Sequence, residues 1–281
     1  MNSRETLEKS FIDPNILYYW GYMYDLSRNY MIDYLERKGA TIKGGTIIEI
    51  GSAEGGNLCA MAKYGATELV GADIAEIRLE RARNIAGILE LDIYYTSNDI
   101  IYEEQPEEWQ GHFDLALLRD VIEHLDDAEI ALRNIKRLLK PGGMLYVTFP
   151  PWYSPFGGHQ QLLLTKASRV PYVHFLPKPF FEKAIASGRA NDVVEVRRLR
   201  EIRMTTTKFR RASKAAGYNI VDERLFFYSA GLPLKIWTPT DRGEYPETPP
   251  GSSRFPCIGS RPHSVQKEDG VTDEVTISYL I

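Results

Sequence analysis

Over residues 16–38, Leu17, Trp20, Tyr24, Tyr30, Met31, Tyr34 and Leu35 recur near helical spacing and stop at Gly39, predicting one or two amphipathic helices. At residue 46 the period changes. Residues 46–50 form a short β-branched run, followed by a glycine-rich turn and a helix-like stretch over 57–64, the order strand, turn, helix. The unit recurs as strand 69–72 with helix 76–86, strand 93–96 with an acidic loop, and strand 113–118 with helix 128–139. Such alternation implies right-handed crossovers and a parallel sheet. Lys140-Pro141-Gly142-Gly143 ends that last helix and leads into a fifth strand, 144–149. After Pro150-Pro151 the alternation stops. Residues 152–200 are rich in proline, aromatic and then charged residues, the pattern of an insertion over a site. A helix over 205–216 is stopped by Gly217, and strands follow over 218–228 and 274–281. The intervening loop, 231–270, is long enough to be functional rather than a plain connection. No internal repeat is present.

Composition narrows the class without choosing a function. The 281 residues are 43% hydrophobic and 26% charged, the balance of a globular chain with a sizeable core. A formal charge of -4 offers no global attraction to a phosphate backbone, so nucleic-acid binding is not expected and would need a local basic patch. Cys59 and Cys257 are far apart and lack metal-ligand spacing, which suits a reducing cytoplasm. The first ten residues are polar where a secretory signal is apolar, and no run is long enough to span a membrane. The sequence leaves the oligomeric state open.

The strongest chemical signal lies where the first strand meets the first helix, at Ile48-Glu49-Ile50-Gly51-Ser52-Ala53-Glu54-Gly55-Gly56-Asn57. Glycine lets a backbone pass close under a ligand, although a tight strand-to-helix turn needs glycine whether or not it binds anything. Asp73 changes the balance. It ends the second strand about 20 residues on, where a carboxylate can accept hydrogen bonds from both ribose hydroxyls. Together they point to an adenosine-containing cofactor.

These motifs, with those that follow, resemble class I (Rossmann-like) methyltransferases dependent on S-adenosylmethionine (SAM), and among them the type 11/12 kind. Nicotinamide dehydrogenases share the early pattern but not the later one. The resemblance implies SAM as cofactor, with Glu49 near the amino group of its methionine, Gly51, Ser52, Ala53 and Gly55 in the loop beneath it, and Asp73 with Ile74 at the ribose. Asn98-Asp99 matches the position whose side chain approaches the adenine amino group, with Ile100 flanking the ring. The run Phe113-Asp114-Leu115-Ala116-Leu117-Leu118-Arg119-Asp120-Val121-Ile122-Glu123-His124-Leu125 matches the family's fourth-strand motif and adds Arg119 to the cofactor set. Ala53-Glu54 departs from relatives that carry a further glycine. Alanine is small enough to leave the loop serviceable.

Methyl transfer from a sulfonium is an in-line displacement, so a protein must align the nucleophile and remove a proton where one is present. His124 and His159 are the candidate bases, since histidine titrates near working pH and both should lie at the carboxyl edge of the sheet. The alternative is that His124 only orients a loop. Asp120, Glu123, His124 and His159 could instead hold a divalent metal, in an arrangement resembling the Glu-x-x-Glu-His site of ubiquinone-biosynthesis and plant small-RNA methyltransferases. Aspartate replaces the first glutamate there, and the base expectation assigns no metal.

Trp152, Tyr153 and Phe156 are the expected substrate contacts, with Tyr172, His174 and Phe175 nearby; the alternative is a small core of the insertion. Arg189, Arg197, Arg198, Arg200, Arg203, Lys208, Arg210, Arg211 and Lys214 form a basic stretch, read as a solvated helix face or as recognition of a phosphate or carboxylate. Phe149-Pro150-Pro151-Trp152 looks like a catalytic Asn-Pro-Pro-aromatic motif but follows strand five rather than strand four. The expectation is one domain, a seven-stranded α/β Rossmann-like SAM-methyltransferase sandwich. It comprises a helical cap (1–44), a cofactor core (45–150), an inserted lid (151–204) and the last two strands (205–281), the seventh antiparallel to the fifth. Its expected activity is methylation of a small molecule, at oxygen in preference to nitrogen or carbon. The alternatives are a SAM-binding regulatory or scaffold protein and a nucleotide-dependent oxidoreductase.

Overall fold

The computed structural model describes residues 3–10, 12–226 and 274–280. Cys257 and the 231–270 loop lie outside the described residues, as does the end of the strand expected to reach Tyr228.

The N-terminal segment is helical. It begins with α1 (Ser3–Glu8) and α2 (Pro14–Leu26), whose Asp13 cap accepts the Asn15 N–H at 2.8 Å. Proline at the first helical position suits that start. The chain then passes through a single π turn, Ser27–Met31, into α3 (Ile32–Arg37). No helix among the described residues is long and apolar enough to cross a membrane.

The repeating units follow as β1 (Thr46–Ile50), α4 (Gly56–Tyr64), β2 (Glu68–Asp73), α5 (Glu76–Ile88), β3 (Tyr94–Ser97), β4 (Phe113–Arg119), α6 (Ala128–Leu138) and β5 (Leu139–Phe149). Then come α7 (Lys178–Ile185), α8 (Ala190–Ile202), α9 (Thr206–Ala215), β6 (Asn219–Phe226) and β7 (Glu274–Leu280). The result is an α/β Rossmann-like sheet with a parallel core and helices on its flanks, in the order β3-β2-β1-β4-β5-β7-β6. The order reverses beside β1, which puts the β1, β2 and β4 carboxyl ends at the switch point where such sheets bind ligands.

Two features differ from expectation. β5 begins at Leu139 rather than after the glycine pair. Its register jumps from Leu139 to Met144 while β4 advances only from Phe113 to Leu115, so Pro141, which has no N–H to give a ladder, sits in the irregularity with Gly142 at φ +80°. β7 is parallel to both β5 and β6, not antiparallel. Parallel neighbours need a crossover of about a dozen residues or more, and the chain between Phe226 and Glu274 is long enough to supply it.

Strand side chains alternate between two buried faces. Ile48, Ile50, Ala116, Leu118, Leu145 and Val147 pack with α6 and α9, whereas Ile47, Leu115, Leu117, Met144 and Tyr146 pack with α2 to α5. A third cluster, Leu163, Val173, Phe181, Ile185, Val193 and Val196, is the insertion's own core. The parity puts Glu49 and Arg119 on the face covered by the N-terminal helices.

Phe209, fully buried on α9, lies 5.3 Å from the Phe149 ring. Phe209→Ala should cost about 3–5 kcal/mol through lost burial and a cavity, read as a lower urea midpoint at unchanged slope. A loss below about 1 kcal/mol would show that α9 does not seal this core.

Candidate active site

Gly51 and Ser52 donate to the Ala72 carbonyl at 2.7 and 3.1 Å, and Gly51, Ala53 and Gly55 all have positive φ, so the chain doubles back tightly after β1. A Cβ on Gly51 would stand 2.3 Å from Val121 Cγ2, and one on Gly55 2.1 Å from the Tyr95 hydroxyl. Packing inside the protein therefore already demands both glycines. Asp73, 7% exposed, accepts the Ala53 N–H at 2.9 Å on one oxygen and the Ala75 N–H at 2.8 Å on the other. This ties the end of β2 to the turn, and each oxygen keeps a second lone pair for a ligand hydroxyl. Ile74 beside it is exposed.

Beneath the turn lies a buried polar network. Asn57 Nδ2 donates to Glu49 Oε1, while Asn57 Oδ1 receives Ser27 Oγ at 2.6 Å and Arg119 Nη1 at 2.7 Å. Burial pushes the Glu49 carboxyl up to about 8, against the opposing pull of Asn57 and the Arg119 charge. Asn57 ends the glycine-rich motif with no role assigned to it there, and Ser27 lies outside the motifs. Asn57 could have been suspected from its place in the first turn of α4, but Ser27 reaches it only through the π turn.

At the end of β3, Asn98 is buried and donates to Glu103 at 3.3 Å; Asp99 Oδ1 accepts the N–H groups of Ile101 and Tyr102 and so shapes the loop. Ile100 is buried within the core on the α6 side. Among the described residues, Glu49 Oε2, Ser52 Oγ, Asn98 Oδ1 and Arg119 Nε are buried without a hydrogen-bond partner. Unmet buried polar atoms are costly. Four of them around the carboxyl ends of β1, β3 and β4 fit a polar ligand such as SAM.

A second group lies beyond β4. Glu123 is 2% exposed, and neither of its oxygens has a hydrogen-bond partner among the described residues. Its carboxyl is pushed up to about 8 by burial, with the neighbouring His124 pulling the other way and Asp120 adding to the rise. His159 Nε2 lies 3.5 Å from Glu123 Oε1 and His124 Nε2 3.8 Å from it, and the two rings are 4.9 Å apart. Burial also lowers the His159 pKa. One atom from each of Glu123, His124 and His159 falls within 4.8 Å of the others, a spacing that could hold a cation. Asp120 is exposed and outside this triad, its Oδ1 accepting from Thr148 at 3.2 Å.

Glu195, from α8, went unnoticed in the sequence. Its Oε1 lies 2.5 Å from His124 Nδ1, and that hydrogen bond holds the carboxyl below its ordinary range. An ionised carboxylate only accepts, so Nδ1 is the donor in that bond, and Nε2 is the ring nitrogen turned toward Glu123. The signal was hidden in a charge-rich helix 71 residues away. Trp152 is buried, Phe156 half-buried and Tyr153 exposed. His174 Nε2 donates to the Trp152 carbonyl at 2.8 Å.

The chain belongs to the methyltransferase-domain family, whose model matches residues 19–223, and so to the class I SAM-dependent methyltransferases. It is 32% identical over 115 residues to a ubiquinone biosynthesis O-methyltransferase of Coxiella burnetii, covering 41% of this chain and 47% of that one. It is 33% identical over 113 residues to the protein so named in Pseudomonas aeruginosa, covering 40% and 47%. The chain thus spans about half the length of these relatives. Among solved structures it is similar to a SAM-dependent methyltransferase of Mesorhizobium loti (25% identity, TM-score 0.37, 42% of this chain and 52% of that). It is also similar to phosphoethanolamine N-methyltransferase 2 of Haemonchus contortus (19%, TM-score 0.42, 72% and 44%).

The raised Glu123 pKa fixes a pH dependence. The folded protein keeps a proton that the unfolded chain releases near 4.5, so this stabilisation is complete below about 4.5 and lost as pH rises through about 8. In excess chelator, wild-type stability relative to Glu123→Gln should fall between pH 4.5 and 8, measured by urea unfolding. A constant difference across that window would contradict the assignment.

Proposed function

We propose that this protein transfers the methyl group of SAM to an oxygen nucleophile on a small molecule, with His124 as general base. SAM supplies an electrophilic methyl on a sulfonium. Asp73 would hold the ribose and the 51–55 turn would pass beneath the cofactor, with Asn98, Asp99 and Ile100 toward the adenine. Glu49 Oε2 and Arg119 Nε, both without partners among the described residues, suit the ammonium and carboxylate of the methionine end.

One observation carries the acceptor assignment: Glu195 holds His124 through Nδ1 at 2.5 Å, which leaves Nε2 as the ring nitrogen that would take the proton. A hydroxyl must lose a proton to be methylated, whereas a neutral amine can attack first, so a positioned base favours oxygen. His159, nearly buried beside it, would shape the same pocket, and Trp152, Tyr153 and Phe156 would face the acceptor. On this reading the chain is one cytoplasmic domain, a seven-stranded sandwich of the type 11/12 kind. Residues 1–44 form its cap and 151–204 its lid.

A second reading is favoured by the Glu123, His124 and His159 triad with its unpartnered oxygens and Nε2. A divalent cation held there would lower the pKa of a bound hydroxyl. Here Glu123, His124 and His159 would serve as ligands and Glu195 would fix the His124 ring.

Incubation with methyl-labelled SAM and a small-molecule extract should label a small product. His124→Gln should slow that transfer by about 10²- to 10⁴-fold while calorimetric SAM affinity stays within about twofold. An unchanged rate in His124→Gln removes the base role, and SAM binding with no transfer to any pool supports a regulatory or scaffold protein. Excess chelator should leave the rate unchanged if the base reading holds. Its loss, restored by added divalent cation, selects the metal reading.

A further inference from the structure

We propose that the cavity bounded by Trp152, Tyr153, His174, Phe175, Arg200 and Arg203 binds the carboxylate or phosphate of a small aromatic acceptor. The proposal deepens the methyl-transfer reading by giving the acceptor a charge and a ring.

The argument begins with the basic stretch. Most of its arginines are committed: Arg189 to Asp192, Arg197 to Glu182, Arg198 to Asp126 and Arg210 to Glu223, at 2.5–3.1 Å. Glu195, the remaining carboxylate of that helix near the site, is taken by His124. Among the described residues no carboxylate is paired with Arg200 or Arg203, and these two line a cavity of about 280 Å³.

The backbone holds them there at a cost. Arg203 ends α8 in the left-handed region at φ +49°, unfavourable for a side chain with a Cβ. Its Nε donates back to the Arg200 carbonyl at 2.7 Å. Burial, and then repulsion from the Arg203 guanidinium, lower the Arg200 pKa, with Glu182 pulling the other way. Arg200 donates to the Leu176 carbonyl at 2.7 Å and lies 4.1 Å over the Phe181 ring, yet its buried Nη1 has no partner among the described residues. An anion would relieve both the repulsion and the unmet donor.

The remaining lining supplies a place for a ring. Tyr153 and Phe175 stack with planes 13° apart and centroids at 6.3 Å, and Phe175 also packs edge-on to Trp152. Thr205 lines the cavity and caps α9 by accepting the Lys208 N–H, which leaves its hydroxyl proton free to donate. The Trp152 N–H bonds the Met204 carbonyl at 2.7 Å, fixing the aromatic wall to the turn that carries the arginines. That volume suits one substituted ring rather than a polymer or a long chain. His174, in the cavity wall, is near enough to His159 for the two charges to interact, which puts the cavity on the His159 side of the histidine pair.

Calorimetric titration without SAM tests this directly, using benzoate, phenyl phosphate, inorganic phosphate and, as an uncharged counterpart, benzyl alcohol. Benzoate or phenyl phosphate should bind at least 10-fold more tightly than benzyl alcohol, and whichever binds better identifies carboxylate or phosphate as the natural group. Arg203→Gln, at an exposed position, should keep its Tm and weaken the better ligand by about 10-fold or more, with Arg200→Met weakening it further. The proposal is overturned if neither anion outbinds the alcohol, or if Arg203→Gln binds like wild type. Inorganic phosphate binding as well as phenyl phosphate overturns the aromatic part. Because no SAM is present, failure of the methyl-transfer reading leaves this result standing.

Discussion

Asp73 is the constraint from which the rest of the site takes its position. Its two oxygens are held by the Ala53 and Ala75 N–H groups, so one carboxylate fixes the end of β2, the turn after β1 and the start of the next connection. Charge-assisted bonds to backbone are among the stronger ones available to a protein. Holding that turn also holds Gly55 against Tyr95 and the start of α4, and with α4 comes Asn57. A single side chain therefore sets both the surface where a nucleoside would lie and the polar floor beneath it.

That floor shows how the N-terminal helices enter the site. Ser27 reaches Asn57 because the π turn shifts the helix by one residue, the kind of local widening found at functional positions. Asn57 then mediates between an acid and a base that do not touch directly in the described network, Glu49 and Arg119. On the opposite face α8 performs a similar service for His124 through Glu195. The parallel strands bring these groups to one edge, and helices from distant parts of the chain supply their hydrogen-bond partners.

The legible part of the fold was the part written in local period. The β1 turn, Asp73, the β4 motif and the limits of α4 and α6 could be read because each rests on neighbouring residues: strand alternation, glycine at a tight bend, a carboxylate at a strand end. The parallel direction of β7 could not, since it depends on how the chain returns to the sheet and not on the residues of the strand. Glu195 was hidden for a related reason; on a helix crowded with charges, nothing local distinguishes the acid that meets His124 from those that face arginines. The early start of β5 was masked by Pro141 and the glycine pair, which end a helix equally well in a turn or in an irregular strand. Of the four residues weighed as a metal set, three come together, while Asp120, just past β4 at φ +53°, accepts from Thr148 instead.

The central claim is that a carboxylate at the end of β2 grips the sugar of a sulfonium nucleoside. Calorimetric titration of SAM into the wild-type protein and into Asp73→Asn, which keeps the side-chain shape, tests it most directly. The account predicts saturable binding at one site in the wild type and a loss of at least 100-fold in the variant. No uptake of SAM by the wild type, or equal affinity in the two proteins, would contradict it.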